Sequence, residues 1–187
     1  MNFADRLTVF NKVLSDTECS NKLNKKTDLN DGLEAITSKL QLLRDNSSHV
    51  YIIGNGGSSS IASHMMIDLL NMAKIKSHTI NDPSSLTCLS NDYGYENVFS
   101  KSLDIHLSPK DVLIAISSSG ESLNIINAME IAKSKENVFT ITLTGFEHDN
   151  HLRKMGDINL WLNSKDYGIV ENAHAFLLHY ITDKLAI

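Results

Sequence analysis

Apolar residues recur at helical spacing through the first part of the chain. Phe3, Leu7, Phe10 and Leu14 form one stripe, and Leu29, Leu33, Ile36, Leu40 and Leu43 form a second. These patterns predict two amphipathic helices, the second capped by Asp28 or Thr27, joined by the polar connection SNKLNKKTD. Farther along, the period shortens. HVYIIG (49–54), DVLIAIS (111–117) and VFTITLTG (138–145) are β-branched runs, DINLWL (157–162) is a fourth strand and SHTI (77–80) a short fifth. Helical patterns occupy 58–73, 95–104, 121–135 and 168–185. Strands alternating with helices predict an α/β fold, a three-layer αβα sandwich around a parallel sheet. No linker, low-complexity tract or internal repeat divides the chain. Residues 1–187 therefore read as one domain, with 1–46 a leading helical segment and 47–187 the α/β core. Helices ahead of any strand need a surface to cover, either a face of the sheet or another subunit.

Composition narrows the partners. The 187 residues carry a net charge of −5, with 42% apolar and 21% charged residues, as in an ordinary globular protein. That charge argues against nucleic acid as a partner, because phosphate contacts need clustered Lys and Arg. Arginine occurs only at 6, 44 and 153, so an anionic ligand must be held by backbone amides, hydroxyls or lysines. Cys19 and Cys88 belong to no metal-type spacing and suggest no disulfide framework. No apolar run approaches the ~18 residues of a membrane span, and MNFADRLTVF lacks the pattern of a signal peptide. A cytoplasmic protein without a membrane partner is expected.

Two strand-to-helix junctions share an unusual composition. GNGGSSS (54–60) follows the first long strand and SSSGES (117–122) follows the next. Ligands of parallel sheets sit at the carboxyl ends of strands. Glycine allows close backbone approach, and a helix N-terminus offers unpaired N–H groups at the positive end of a dipole. Serine adds donors without bulk. One such loop is also what a plain turn with an N-cap looks like; two in one sheet point to an arginine-free phosphate cradle. Neither is a Walker loop, since no G-K-[ST] follows, and the first does not fit GxGxxG.

The helix after the first loop sets His64 and Asp68 at i, i+4 on one face. Such a pair often lies on a surface, but HMMIDLLNMAK is otherwise almost wholly apolar. A partly buried carboxylate needs a partner or a task. The last helix, YGIVENAHAFLLHYITDKL, interrupts its apolar surface with Glu171, His174 and His179. Any one of these histidines alone reads as a hydrogen-bonded core residue. Two carboxylates and two histidines on two helices suit either a zinc site or an acid–base pair.

Taken together, GNGGSSSIASH (54–64), LSNDYGYENVFSKSL (89–103), DVLIAISSSGESLNIINAMEIAK (111–133), TITLTG (140–145) and the H-x4-H helix at 174–179 resemble the sugar-isomerase (SIS) domain family. Within it they resemble the phosphoheptose isomerases, which interconvert sedoheptulose 7-phosphate and an aldoheptose 7-phosphate for bacterial surface glycans. The resemblance implies a five-stranded parallel sheet and homotetramers with active sites between subunits, in which the leading helices assemble the oligomer. It places Asn55, Gly56, Gly57 and Ser58 in a sugar-binding loop, and Asn91 and Asp92 on the family's N-D pair. Ser117, Ser118, Ser119 and Ser122 fall on its phosphate cradle. It implies a Zn²⁺ ion in each subunit held by His64, Asp68, Glu171 and His179, with Asp68 and Glu171 also touching substrate. Three positions depart from the family: Asp68 stands for glutamate, Glu171 for glutamine and Met72 for arginine.

The implied chemistry is aldose–ketose isomerisation through an enediolate, with Asp68 as base at carbon and His179 as acid–base at oxygen. His174 faces elsewhere and is expected to be structural. Two other readings stay open: a non-catalytic SIS scaffold like the branch acting in bacterial replication initiation, and a sugar-phosphate-binding regulatory module without turnover.

Overall fold

The computed structural model describes residues 1–44 and 47–187. The expected boundary after residue 46 lies outside the described residues. The chain opens with α1 (Phe3–Ser15), then a hairpin of β1 (Glu18–Asn21) and β2 (Lys26–Thr27), then α2 (Leu29–Gln41). The core follows as β3 (Val50–Gly54), α3 (Gly57–Asn71), β4 (Ser77–Thr79), α4 (Pro83–Tyr93), α5 (Val98–His106), β5 (Val112–Ser117), α6 (Leu123–Ser134), β6 (Phe139–Thr144), β7 (Ile158–Trp161) and α7 (Tyr167–Leu185).

The sheet has seven strands in the order β2-β1-β7-β6-β5-β3-β4, not five. Five of them, β3 to β7, are parallel, as expected from the sequence. The correction is at the β7 edge, where β1 pairs antiparallel with β7 and β2 with β1. The segment read as a polar connection thus extends the sheet. Its turn is local chemistry: Asn21 Oδ1 accepts from the N–H groups of Leu23 and Lys25, and Asn24 takes a left-handed φ of 57°. Arg153 locks the hairpin down, bonding Glu18 at 2.8 Å while its guanidinium stacks 4.5 Å from the Trp161 ring.

Alternate strand residues build two cores. Val50, Ile52, Val112, Ile114, Ile116, Ile141 and Leu143 face α2, α3 and α7. Tyr51, Ile53, Leu113 and Ala115 face α5 and α6. Both faces are covered, so the strands read as nearly continuous apolar runs. The two leading helices divide their roles. α2, capped by Asp28, buries Leu33, Ile36 and Leu40 on its own chain. α1 buries none of its residues and leaves Phe3 83% exposed. Phe10, Val13 and Leu14 pack half-buried against the core, and Arg6 grips Asp166 through two bonds of 2.5 and 2.8 Å. That pairing, with the N–H of Ile169 that Asp166 caps, holds the Asp166 carboxyl down to about 2. The helix α4, over a stretch given no element by the periodicity, is capped by Asp82 with Pro83 in its first turn. No helix among the described residues is long and apolar enough to cross a membrane.

His174 is fully buried on α7, with Nε2 3.2 Å from the Thr144 carbonyl. Burial pushes its pKa down to about 4. The unfolded chain, titrating near ~6.5, therefore binds the extra proton first, and stability present above that pH is lost as pH falls toward 4. We expect His174→Gln, which keeps a donor for Thr144, to flatten the acid limb of the stability curve. Urea midpoints at pH 7 and 4.5 check this; wild type should lose on the order of 2–3 kcal/mol more than the variant.

Candidate active site

β3 and β5 are neighbours in register from Val50↔Val112 to Gly54↔Ile116, yet their following helices leave toward opposite faces of the sheet. The two Gly/Ser loops therefore open side by side at the strands' carboxyl ends, where the strand order reverses. Between them lies a pocket of about 120 Å³ lined by Asn55, Ser58, Ser117, Ser118, Ser119, Ser122, Tyr167 and Glu171. The glycines are required by geometry. Gly56 adopts φ 53°, ψ −120°, and a Cβ on Gly57 would sit 2.4 Å from a Glu171 carboxylate oxygen.

The helices flanking this pocket start without side-chain caps. α1, α2, α4 and α7 each have a side chain accepting from their first N–H groups. α3 and α6 have none, a trait shared among the described α-helices with α5, which continues a 3₁₀ turn. Their leading N–H groups are the orphans an anion would satisfy. Ser117 Oγ accepts from Gly120 N–H at 3.2 Å and reaches Ser122 Oγ at 3.4 Å, while Ser119 Oγ takes Glu121 N–H. Ser118 Oγ is buried without a partner. Uncapped helix ends and an unsatisfied hydroxyl around one small cavity fit a phosphate.

Asn55 is held by three bonds from two residues. It exchanges two 2.9 Å bonds with Asn124 and accepts from Tyr95 Oη at 3.0 Å. Asn124, Tyr95 and Tyr167 were not foreseen as site residues. A buried asparagine in the apolar LNIINAM stretch was the available signal for Asn124; nothing in the pattern marked the tyrosines. Asn91 and Asp92 are exposed near the end of α4, bonded to each other at 3.0 Å, and line neither this pocket nor the next.

A second cleft of about 190 Å³ lies between α3 and α7, lined by Ser60, Ile61, His64, Met65, Asp68, Ala175, Leu178, His179 and Thr182. His64 Nε2 lies 3.8 Å from Asp68 Oδ1, and His179 Nδ1 lies 3.4 Å from Asp68 Oδ2. The two imidazoles meet edge to face, centroids 4.7 Å apart. The Asp68 side chain is only 15% exposed, whereas the histidines open to solvent. One ligand atom from each of the three lies within 4.8 Å of the others, the one such group found among the described residues. Two imidazole nitrogens and a carboxylate oxygen at that spacing suit a divalent metal after a small contraction. Glu171 does not join them. It lies eight residues before His179, about 12 Å along the helix axis, and stands in the serine pocket. Met72 ends α3 as its C-cap.

Comparison with known proteins accords with this geometry. The SIS domain family matches residues 20–145. A phosphoheptose isomerase from Helicobacter pylori is 33% identical over 159 residues, covering 80% of this chain and 82% of the relative. Solved phosphoheptose isomerases from Neisseria gonorrhoeae and Francisella tularensis each superpose with a TM-score of 0.82 at 25% identity. They cover 98% and 99% of this chain, and 94% and 98% of their own.

Glu171 is the one charged group lining the serine pocket, and its charge opposes an anion there. Glu171→Gln should tighten inorganic phosphate binding by on the order of 1 kcal/mol, the size of a like-charge contact in water. Ser119→Ala with Ser122→Ala should weaken it by roughly 1.5–3 kcal/mol per lost bond to a charged group. Calorimetric titration with phosphate reads both.

Proposed function

This chain belongs to the SIS domain family, among the phosphoheptose isomerases, and from that premise we propose that it isomerises sedoheptulose 7-phosphate to D-glycero-D-manno-heptose 7-phosphate. The observation that carries the reading is the pairing of an arginine-free pocket at the starts of α3 and α6 with a His–Asp–His group on α3 and α7. The phosphate docks among the uncapped N-termini of α3 and α6 and orients the open-chain sugar, so that binding energy far from the reacting carbons positions them. Asn55, Gly56, Gly57 and Ser58 bind the sugar end of this pocket. Glu171 stays on the substrate side, accepting from sugar hydroxyls. Asn91 and Asp92, remote within one chain, reach substrate from a neighbouring subunit.

Asp68 takes the proton from carbon, and His179, facing its second oxygen, moves protons at the substrate oxygens. His64, one oxygen of Asp68 and one nitrogen of His179 would hold Zn²⁺, which would supply Lewis-acid polarisation of the substrate oxygens, leaving the other oxygen of Asp68 and the other nitrogen of His179 to move protons. Asp68 reaches less far than glutamate by one methylene, so the reacting carbon sits closer to α3. Assembly completes the site: the exposed stripe of α1 is buried against another copy in a homotetramer, with 1–187 acting as one catalytic domain and 1–46 serving assembly. The enzyme works in the cytoplasm on a soluble phosphosugar.

Conversion of sedoheptulose 7-phosphate to aldose tests the activity. Asp68→Asn and His179→Gln should each lower turnover by about 10²–10⁴-fold, the range of general acid–base catalysis, while the oligomer stays intact. Wild-type turnover in both variants would overturn the roles given, and no turnover in wild type would favour the scaffold or regulatory reading. Light scattering at micromolar concentration should give four times the 20.8 kDa chain mass; a monomer would reject the shared site.

A further inference from the structure

At the amino ends of β3 and β4, opposite the phosphate pocket, three histidines from separate segments gather around Tyr51. His49 immediately precedes β3, His78 lies in β4 and His106 ends α5. His49 Nδ1 and His78 Nε2 are 2.7 Å apart, with ring centroids at 4.9 Å. The Tyr51 ring stacks on His78 at 5.3 Å and lies 6.3 Å from the rings of both His49 and His106. Two imidazole nitrogens this close cannot both carry a proton; they share one proton or one cation.

We infer that His49 and His78 form a second binding site for a divalent transition cation of the imidazole-preferring class, Zn²⁺, Ni²⁺ or Cu²⁺, separate from the His64–Asp68–His179 group. The backbones of both ligands are fixed: Tyr51 and His78 are register partners across β3 and β4, and His49 N–H donates to buried Asp111 at 2.8 Å. Asp111 also takes the N–H of Ser108 at 2.9 Å and adds a fixed negative charge on the same side of the sheet. Metal–nitrogen bonds of about 2.0–2.1 Å in tetrahedral geometry separate two nitrogens by about 3.4 Å, so the exposed His78 ring must move outward by about 1 Å and both rings must turn until their lone pairs converge. The proton shared in the free pair moves to the far nitrogen of its ring, and water fills the remaining positions. His106 is a neighbour, not a ligand: its Nδ1 is engaged 2.8 Å from the Ser102 carbonyl.

Equilibrium dialysis of the full chain against Zn²⁺ and Ni²⁺ tests this, in a His64→Gln, His179→Gln background that strips both imidazoles from the first site. One metal per chain should remain. Adding His78→Gln or His49→Gln should weaken it by well over tenfold, since even changes around a metal ligand cost about 10–100-fold. His106→Gln should leave it in place. In that same background, free of other metal, added Cu²⁺ should broaden the imidazole signals of His49 and His78. His78→Gln alone should leave isomerase turnover and the circular dichroism spectrum unchanged. No bound metal in the background, binding that survives loss of both His49 and His78, or equal loss with His106→Gln would each overturn the assignment.

Discussion

Everything at the phosphate pocket depends on the parallel pairing of β3 with β5. Those strands are far apart in sequence, and their chains turn away to opposite faces once they reach the carboxyl edge. The divergence leaves a crevice that no side chain of the sheet can fill. It also brings two helix N-termini to one place, and two like dipole ends held together without caps need an anion between them. On the proposed function, substrate phosphate would complete hydrogen bonding that folding leaves unmet, with the partnerless Ser118 hydroxyl the plainest sign of it.

The same logic explains a pocket without cations. Arg153, buried against Trp161, holds the hairpin, and Arg6 holds α1. Neither lines the crevice, which instead carries the carboxylate of Glu171. A site built from backbone amides and hydroxyls gains less from long-range attraction and more from geometry. It discriminates by the position of the phosphate relative to the sugar hydroxyls more than by charge.

The sequence showed much of this, and where it failed the reasons are local. The five parallel strands were legible because both faces of the sheet are buried and their apolar runs are dense. The hairpin was not, because β1 and β2 are four and two residues long and largely polar. α4 was hidden by its Ser, Thr, Asn and Asp content, which favours turns; its Asp82–Pro83 start was the readable clue. His64, Asp68 and His179 converge as their placement on two adjacent helices allowed. Glu171 parts from them because helical rise carries it away from His179 toward the β3–α3 loop, a displacement that spacing alone already contained.

The helix α7 joins these regions, and its height against the sheet is fixed at few points. Arg6 and the cap of Asp166 set its start, and Val170 fits against the bare backbone of Gly145, where a Cβ would come within 2.9 Å. His174 then bonds the Thr144 carbonyl from full burial. That bond lies three residues after Glu171 and five before His179, between the serine-lined pocket and the cleft of the His–Asp–His group. A slip of α7 by one residue would move both functional side chains together by about 1.5 Å and rotate them off their pockets. A histidine that contacts no substrate therefore has a reason to stay polar in an apolar core: its directional bond sets the register that hydrophobic packing alone would leave loose. The cost is acid sensitivity: a proton added at Nδ1 leaves the Nε2–H bond in place but puts a charge in the apolar core between both sites.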